Sequence, residues 1–329
     1  MQRGQDLARA VVVLEAGGLV AFPTETVYGL GADAANDAAV ARIFAVKGRP
    51  RAHPLIVHLA EHARLDDWAI DVPDAARRLA RAAWPGPLTI ILRKGPRVAP
   101  SVTAGAETVG LRVPAHPVAQ DLLRGFGGGI AAPSANRFGG VSPTTADHVA
   151  GDLGDAVDYL LDGGSCTVGV ESTIVDLSRG KPVLLRPGGL PRDQIEPITG
   201  PLLAPDPGAP AAPGTLASHY APRAVVVAVV PEDVPTAVAS ARERGARVAV
   251  LAPGAAFMTW PGLARDQAVG VYRLPDEEAG IARGLYAALR DLDAAGFDVV
   301  IAALPPAVGL GEAVADRLRR AAGPRRDPS

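Results

Sequence analysis

Between Pro201 and Pro213 five prolines fall among small residues, and no other stretch of the sequence constrains the fold as strongly. Such a run favours extended, semi-rigid backbone and offers a core few large apolar side chains. It therefore divides a chain of 329 residues into two portions, each long enough to bury a core of its own. The reading is a first domain over 1–200, a linker over 201–222 and a small second domain over 223–329.

In the first portion, helical spacing over 5–16 ends at Gly17 and Gly18 and feeds an apolar strand over 19–22 that Pro23 stops. A loop over 23–31, rich in hydroxyls and glycines, thus leaves a strand end. Val40, Ile43 and Phe44 keep helical spacing behind Asn36 as a cap, and Gly48 with Pro50 closes that helix, clustering Lys47, Arg49 and Arg51 where it stops. Apolar runs predict strands over 55–59, 88–92, 108–113, 129–132, 157–161, 172–177 and 183–186, with helices over 73–83, 117–124 and 145–151. Strands this numerous among irregularly spaced helices indicate one mixed, twisted α/β sheet, not a strict doubly wound repeat. Beyond the prolines, strands over 224–230, 247–252, 269–274 and 297–304 alternate with helices starting from Asp233, Asp276 and Gly311. That pattern predicts a small Rossmann-like α/β domain with a mostly parallel sheet, and 323–329 reads as a frayed tail.

Charge excludes a polycation built for nucleic acid: 33 basic residues face 35 acidic ones, net −2. The basic residues are nearly all arginine, with lysine only at positions 47, 94 and 181, so Lys47 stands out. Cys166 is the one cysteine, which excludes an intramolecular disulfide and any multi-cysteine metal site. No apolar run is long enough to span a bilayer, no secretion signal is read, and a cytoplasmic setting is the expectation. His58 and His62 lie four apart without the further ligands of a zinc site. Gly309-Leu310-Gly311 follows the last strand but lacks the third glycine of a dinucleotide fingerprint, and reads as a turn.

Three segments resist a purely structural account: the 24–31 loop, Lys47-Gly48-Arg49 at a helix end, and Pro133-Ser134-Ala135-Asn136 with Ser142-Pro143-Thr144 behind it. Hydroxyls, amides and cations of this kind can hold phosphate oxygens, and each segment taken alone is also compatible with an ordinary turn or cap. Their order decides more. Pro23-Thr-Glu-Thr-Val-Tyr-Gly-Leu, Lys47-Gly-Arg-Pro, His53-Pro-Leu-Ile-Val-His, Trp84-Pro-Gly-Pro-Leu-Thr, Leu111-Arg-Val-Pro, Pro133-Ser-Ala-Asn, Gly169-Val-Glu-Ser-Thr-Ile-Val-Asp, Leu185-Arg-Pro-Gly-Gly and Ser218-His-Tyr-Ala-Pro occur in succession. This series resembles the threonylcarbamoyl-AMP synthase family in its long form, a YrdC-like domain followed by a linker and a C-terminal domain.

The resemblance implies synthesis of L-threonylcarbamoyl-AMP and pyrophosphate from L-threonine, bicarbonate and ATP, for threonylcarbamoyladenosine modification of tRNA. It implies a nucleotidyltransferase whose Mg2+ arrives with ATP. A downstream threonylcarbamoyl transferase machinery would be the partner, tRNA would be met only indirectly, and no membrane is involved. By the same resemblance L-threonine is bound by Thr26, His58, Arg112, Ala132 and Ser172. ATP is bound by Arg49, His53, Thr108, Ser134, Ser142, Arg186 and Tyr220, with Lys47 and Arg49 as the catalytic cations and the linker reaching the active site. Two alternatives stay open. One is a double-stranded RNA or tRNA-binding module, against which the balanced charge argues. The other is a carbamoyl-transfer enzyme with a YrdC-like domain, whose zinc-finger cysteines a single-cysteine chain cannot supply.

Overall fold

The computed structural model describes residues 1–324 and separates into two compact units, one of residues 1–138 and 142–215, the other of residues 139–141 and the chain from Leu216 onward. The proline-rich stretch is therefore no body of its own: 201–215 count with the first unit and 216–222 with the second. The physical reason lies in its small residues. Leu203 exchanges backbone hydrogen bonds with Pro182 and Leu184, and Ala212 packs with Ile56, Ile91, Ile174, Val183 and Leu185.

The first unit holds β1 (Gln2–Gly4), α1 (Leu7–Glu15), β2 (Val20–Phe22), β3 (Gly29–Asp33), α2 (Asp37–Lys47), β4 (Ile56–His58), β5 (Ala69–Ile70), α3 (Asp74–Ala83) and β6 (Leu88–Lys94). It continues through β7 (Thr108–Arg112), α4 (Pro117–Phe126), β8 (Ile130–Ala131), α5 (Ala146–Leu153), β9 (Tyr159–Leu161), β10 (Thr173–Asp176), β11 (Val183–Arg186) and α6 (Arg192–Thr199). The strands form one sheet in the order β1-β9-β2-β3-β8-β4-β7-β6-β10-β11, with β5 against β6. It is mixed: β2/β9, β4/β7 and β6/β10 are parallel, whereas β2/β3, β4/β8, β6/β7 and β10/β11 are antiparallel. Alternation along β2 distributes its side chains between two cores. Leu19 and Ala21 join α2, α3, α5 and α6 residues such as Ile43, Leu79, Val149 and Ile195, while Val20 and Phe22 join Leu14 of α1 and Leu122 of α4.

Two elements escape a reading from propensity. β3 carries Gly29 and Gly31, poor strand formers, yet a Cβ at Gly31 would stand 2.7 Å from Ile130 and 2.8 Å from Phe22, so only glycine lets this strand lie under Phe22. Pro191 and Pro197 disguise α6, whose Ile195 is fully buried.

The second unit has β12 (Val225–Val229), α7 (Val234–Glu243), β13 (Val248–Pro253), α8 (Pro261–Arg265), β14 (Val269–Leu274), α9 (Glu278–Ala294), β15 (Val299–Ala303) and α10 (Gly309–Ala321). Its four strands are all parallel, in the order β12-β15-β13-β14. Gly309-Leu310-Gly311 is corrected from a turn to the first turn of α10, which thus begins two residues before the position expected from the sequence. Gly309 enters at φ +53°, and a Cβ at Gly311 would lie 2.1 Å from the Pro306 carbonyl, so the glycines serve close packing of a helix start. Of the expected tail, 325–329 lie outside the described residues. Among the described residues no helix is long and apolar enough to cross a membrane.

Candidate active site

The loops that leave the ends of β2, β8 and β9 are tied to one another by backbone hydrogen bonds. Tyr28 donates to Pro143, Leu30 to Pro133, Ala135 to Tyr28 and Val168 to Glu25, at 2.7–2.9 Å. Within the first loop the buried Thr24 hydroxyl donates to the Val27 carbonyl at 2.7 Å, accepts from the Val27 amide at 3.2 Å and lies 2.8 Å from the Thr26 hydroxyl. This closes a hydroxyl-capped turn and fixes Thr26 with its side chain fully buried.

Arg112 ends β7, where the parallel register sets it beside His58 of β4. Its Nη2 lies 2.7 Å from Glu25 Oε1, and both side chains are buried; Glu25 Oε2 accepts from the Ala115 amide at 3.0 Å. Arg112, assigned to L-threonine by resemblance, is thus already paired with an acid, and its fork of five donors exceeds what one carboxylate can use. His58 is buried, its ring meets Phe22 edge-on at 5.9 Å, and its Nδ1 has no hydrogen-bond partner. Burial first, then the Arg112 charge, pushes its pKa down to about 3, so the imidazole is neutral at pH 7. Ala132 presents its methyl 3.2 Å from where a Cβ of Gly29 would stand, and its amide donates to Ile56.

The His58 shift has a consequence for stability. Between pH 3 and 6.5 the unfolded imidazole binds a proton that the folded one does not, so stability rises with pH across that window and is lost on acidification. Lowering the pH from 7 to 5 should cost about 2 kcal/mol through this group. Urea unfolding followed by the fluorescence of Trp68 and Trp84 in the first unit measures it. His58→Gln should flatten that part of the profile, and an unchanged slope would assign it to other groups.

Three buried cations occupy element ends. Lys47, the last residue of α2, donates through Nζ to the Ser134 carbonyl at 2.5 Å and to the Asn136 carbonyl, and lies 3.5 Å from Asn136 Oδ1. Burial lowers its pKa well below the ordinary lysine value, and the neighbouring Arg49 lowers it further. Gly48 takes the left-handed C-cap conformation at φ +62°, which turns the chain so that the Arg49 amide reaches the Phe44 carbonyl at 2.9 Å. Arg49 then donates through Nη2 to the Pro54 carbonyl at 3.0 Å, with its guanidinium 5.6 Å from the centroid of the Phe138 ring, which His53 meets at 5.5 Å. Arg186 ends β11 and grips the Ser172 carbonyl through Nη2 at 2.8 Å, the Ser172 hydroxyl at 3.2 Å and the Pro213 carbonyl through Nη1 at 2.9 Å.

Hydroxyls complete the set. Ser172 Oγ lies 2.8 Å from Thr89 Oγ1, Ser134 Oγ donates to Asn136 Oδ1 at 2.6 Å, and Ser142 Oγ donates to Glu171 Oε1 at 2.6 Å. Thr108 begins β7, half-buried, in the wall of a narrow cleft that also includes Pro54 and Pro213. The residues assigned by resemblance therefore fall into linked clusters within the first unit, Tyr220 excepted. Tyr220 belongs to the second unit, where it is buried at φ +62°, stacks on Tyr286 at 5.8 Å and underlies Arg317 at 5.0 Å. Glu25, Thr89 and Glu171 were not singled out as site residues from the sequence, and Asn136 only as the end of the 133–136 segment, although all four lie inside the motifs that carry the resemblance. Among the described residues no group of three or more His, Cys, Asp or Glu could hold a metal ion.

A mixed-sheet unit with buried cations and hydroxyls at its strand ends, followed by a small parallel α/β unit, defines a two-domain α/β protein built on a YrdC-like sheet. Comparison with known proteins gives the particular family. A family model described as telomere recombination matches residues 12–188, and one described as threonylcarbamoyl-AMP synthase, C-terminal domain, matches residues 190–323. The chain is 43% identical to the threonylcarbamoyl-AMP synthase of Pyrococcus abyssi, covering 94% of this chain and 92% of the relative. It is 42% identical to that of Bacillus subtilis, covering 97% and 93%. The crystal structure of P. abyssi Sua5 complexed with L-threonine superposes with a TM-score of 0.88 at 40% identity, over 98% of this chain and 96% of that one. The chain belongs to the threonylcarbamoyl-AMP synthase family.

Proposed function

We propose that this protein joins L-threonine, bicarbonate and ATP into L-threonylcarbamoyl-AMP with release of pyrophosphate, as a nucleotidyltransferase that supplies tRNA modification. The observation that carries the reading is the cation set at the strand and helix ends of the first unit: Lys47, Arg49 and Arg186 are buried, and the hydrogen bonds of Lys47 go to carbonyl and amide oxygens, not to a carboxylate. Buried guanidinium groups such as those of Arg49 and Arg186 keep their protons, and a phosphate bound beside Lys47 would strengthen the hold on a proton that burial weakens there. Family membership supports the substrate side, since the P. abyssi relative is described in complex with L-threonine.

In this scheme the threonine amine adds to the carbon of carbon dioxide and loses a proton, or adds to the carbon of bicarbonate, where a C–O bond breaks and water leaves, giving a carbamate in either case. A carbamate oxygen then attacks the α-phosphorus in line, the bond to the β-phosphate oxygen breaks, and pyrophosphate leaves with the electron pair. Such a transfer needs positioning and charge neutralisation more than a protein nucleophile. Lys47, Arg49 and Arg186 would neutralise phosphate oxygens, with Ser134, Ser142, His53 and Thr108 contributing polar and edge contacts. Thr26, His58, Ala132 and Ser172 would bound the amino acid, Arg112 would offer it donors, and Mg2+ would enter as part of the ATP substrate.

Incubation with ATP, threonine and bicarbonate should release pyrophosphate together with an adenylated threonylcarbamoyl product. Pyrophosphate release that ignores threonine would refute the reading. A small pocket discriminates one methyl weakly, by about 1 to 3 kcal/mol, so serine should be a poor but measurable substrate. Equal kcat/KM for threonine and leucine would exclude an amino-acid pocket bounded by Thr26, Ala132 and Ser172.

A further inference from the structure

In the second unit a cavity of about 320 Å3 opens at the carboxyl ends of the parallel strands. Its walls include Pro253 at the end of β13 and Ala256 after it, and Ala303 at the end of β15 and Leu304 after it, with Asp276 and Glu278 exposed at its rim. Topology explains why an opening forms there. β13 and β15 are neighbours, but the chain leaving β13 goes on to β14 at one edge of the sheet, whereas the chain leaving β15 enters α10, which packs on α9 and on β12 at the other edge. Neighbouring strands whose connections diverge leave a crevice outside their carboxyl ends, the place where open parallel sheets bind ligands. Its volume falls within the range of small-molecule sites.

The lining selects the ligand. Among the described residues that line it there is no lysine, arginine or histidine, so a phosphate or carboxylate would find no counter-charge beside two acids. Each acid spends one oxygen on the frame: Asp276 Oδ1 accepts from the Ala255 amide at 2.7 Å, and Glu278 Oε2 accepts from the Leu310 amide at 3.1 Å. No lysine, arginine or histidine among the lining residues meets the remaining oxygens, and the rest of the wall is mostly proline and aliphatic. The glycine at the start of α10 finds its use here, because a Cβ at Gly309 would come within 2.4 Å of Glu278 Oε2 and displace that carboxylate.

We propose that this cavity binds a small organic ammonium ion, its apolar body against the prolines and aliphatic residues and its charge beside Asp276 and Glu278. The probe is 2-phenylethylammonium, with 3-phenylpropionate as an anion of matched shape, each titrated against the full-length protein by saturation-transfer NMR. The ammonium should bind in the millimolar range or tighter and weaken with added salt, and the anion should not bind. The double variant Asp276→Asn with Glu278→Gln keeps both amide-accepting oxygens while removing the charge, and should weaken binding at least tenfold with the thermal transition unchanged. Ala256→Trp, which fills the cavity from its rim, should abolish binding. Absence of saturation transfer, equal binding of the anion, or undiminished affinity in the double variant would each overturn the proposal.

Discussion

Glu25→Ala should destabilise the first unit by about 3 to 5 kcal/mol, the cost of leaving a buried charge without its partner. In the native structure the Glu25 carboxylate lies 2.7 Å from Arg112 Nη2 and also accepts the Ala115 amide, and neither side chain of the pair is more than 7% exposed. Removing the acid leaves a guanidinium, too basic to shed its proton, in a site closed to water. The backbone tie survives the substitution, because it is the main-chain carbonyl of Glu25 that accepts the Val168 amide at 2.7 Å, so the loss is confined to the carboxylate and its two partners. Glu25→Gln, which keeps an acceptor for Ala115 but not the charge, should cost less than alanine. Chemical denaturation followed by Trp68 and Trp84, with Trp260 reporting on the second unit, separates a local effect from a global one. A loss below 1 kcal/mol in Glu25→Ala would mean that water reaches Arg112 in solution.

Where the sequence was legible, a periodic apolar pattern and a strong punctuation mark coincided. α2 shows this: Asn36 caps it through a hydrogen bond to the Ala39 amide, Val40, Ile43 and Phe44 face the core, and Gly48 ends it in the left-handed conformation. All four strands of the second unit were legible for the same reason, each being a short apolar run between helical segments. β3 was not, because Gly31 is dictated by contact with Phe22 and Ile130 and Gly29 lies close against Ala132 and Phe22, partners whose proximity no local pattern announces. The same limit applies to the site. Lys47 and Arg49 are visible as cations at a helix end, but sequence suggests a solvated cap, whereas both are buried by the loop from Ser134 to Phe138. Glu25 and Glu171 are visible as letters within motifs, and only the fold reveals that one neutralises Arg112 and the other accepts the Ser142 hydroxyl. Tyr220 shows the converse: resemblance assigned it a ligand, and the fold gives it neighbours, Tyr286 and Arg317, that no motif contained.

Arg49→Ala should lower turnover by roughly 30- to 1000-fold, equivalent to about 2 to 4 kcal/mol of transition-state stabilisation. The expectation rests on the phosphate role proposed for this side chain and on its setting, 7% exposed, with the guanidinium anchored on the Pro54 carbonyl and set against the Phe138 ring. A cation so placed is oriented before substrate arrives, so its attraction for phosphate oxygens is not spent on ordering a flexible chain. Lysine should not restore it, because an ammonium cannot reproduce the planar guanidinium fork that holds the Pro54 carbonyl through Nη2. Lys47 cannot substitute either: its ammonium is held by the Ser134 and Asn136 carbonyls, and burial beside Arg49 weakens its hold on a proton. Removing Arg49 also removes the largest neighbouring positive charge, so the Lys47 pKa should rise in the variant. Steady-state kinetics with ATP varied at saturating threonine separate the outcomes. A fall in kcat with ATP affinity nearly intact would place Arg49 on charge that develops as pyrophosphate departs. A rise in KM alone would confine it to ground-state binding. If turnover stays within a few-fold of the parent while the thermal transition is unchanged, Arg49 does not contact phosphate, and the cation set must be reassigned around Arg186.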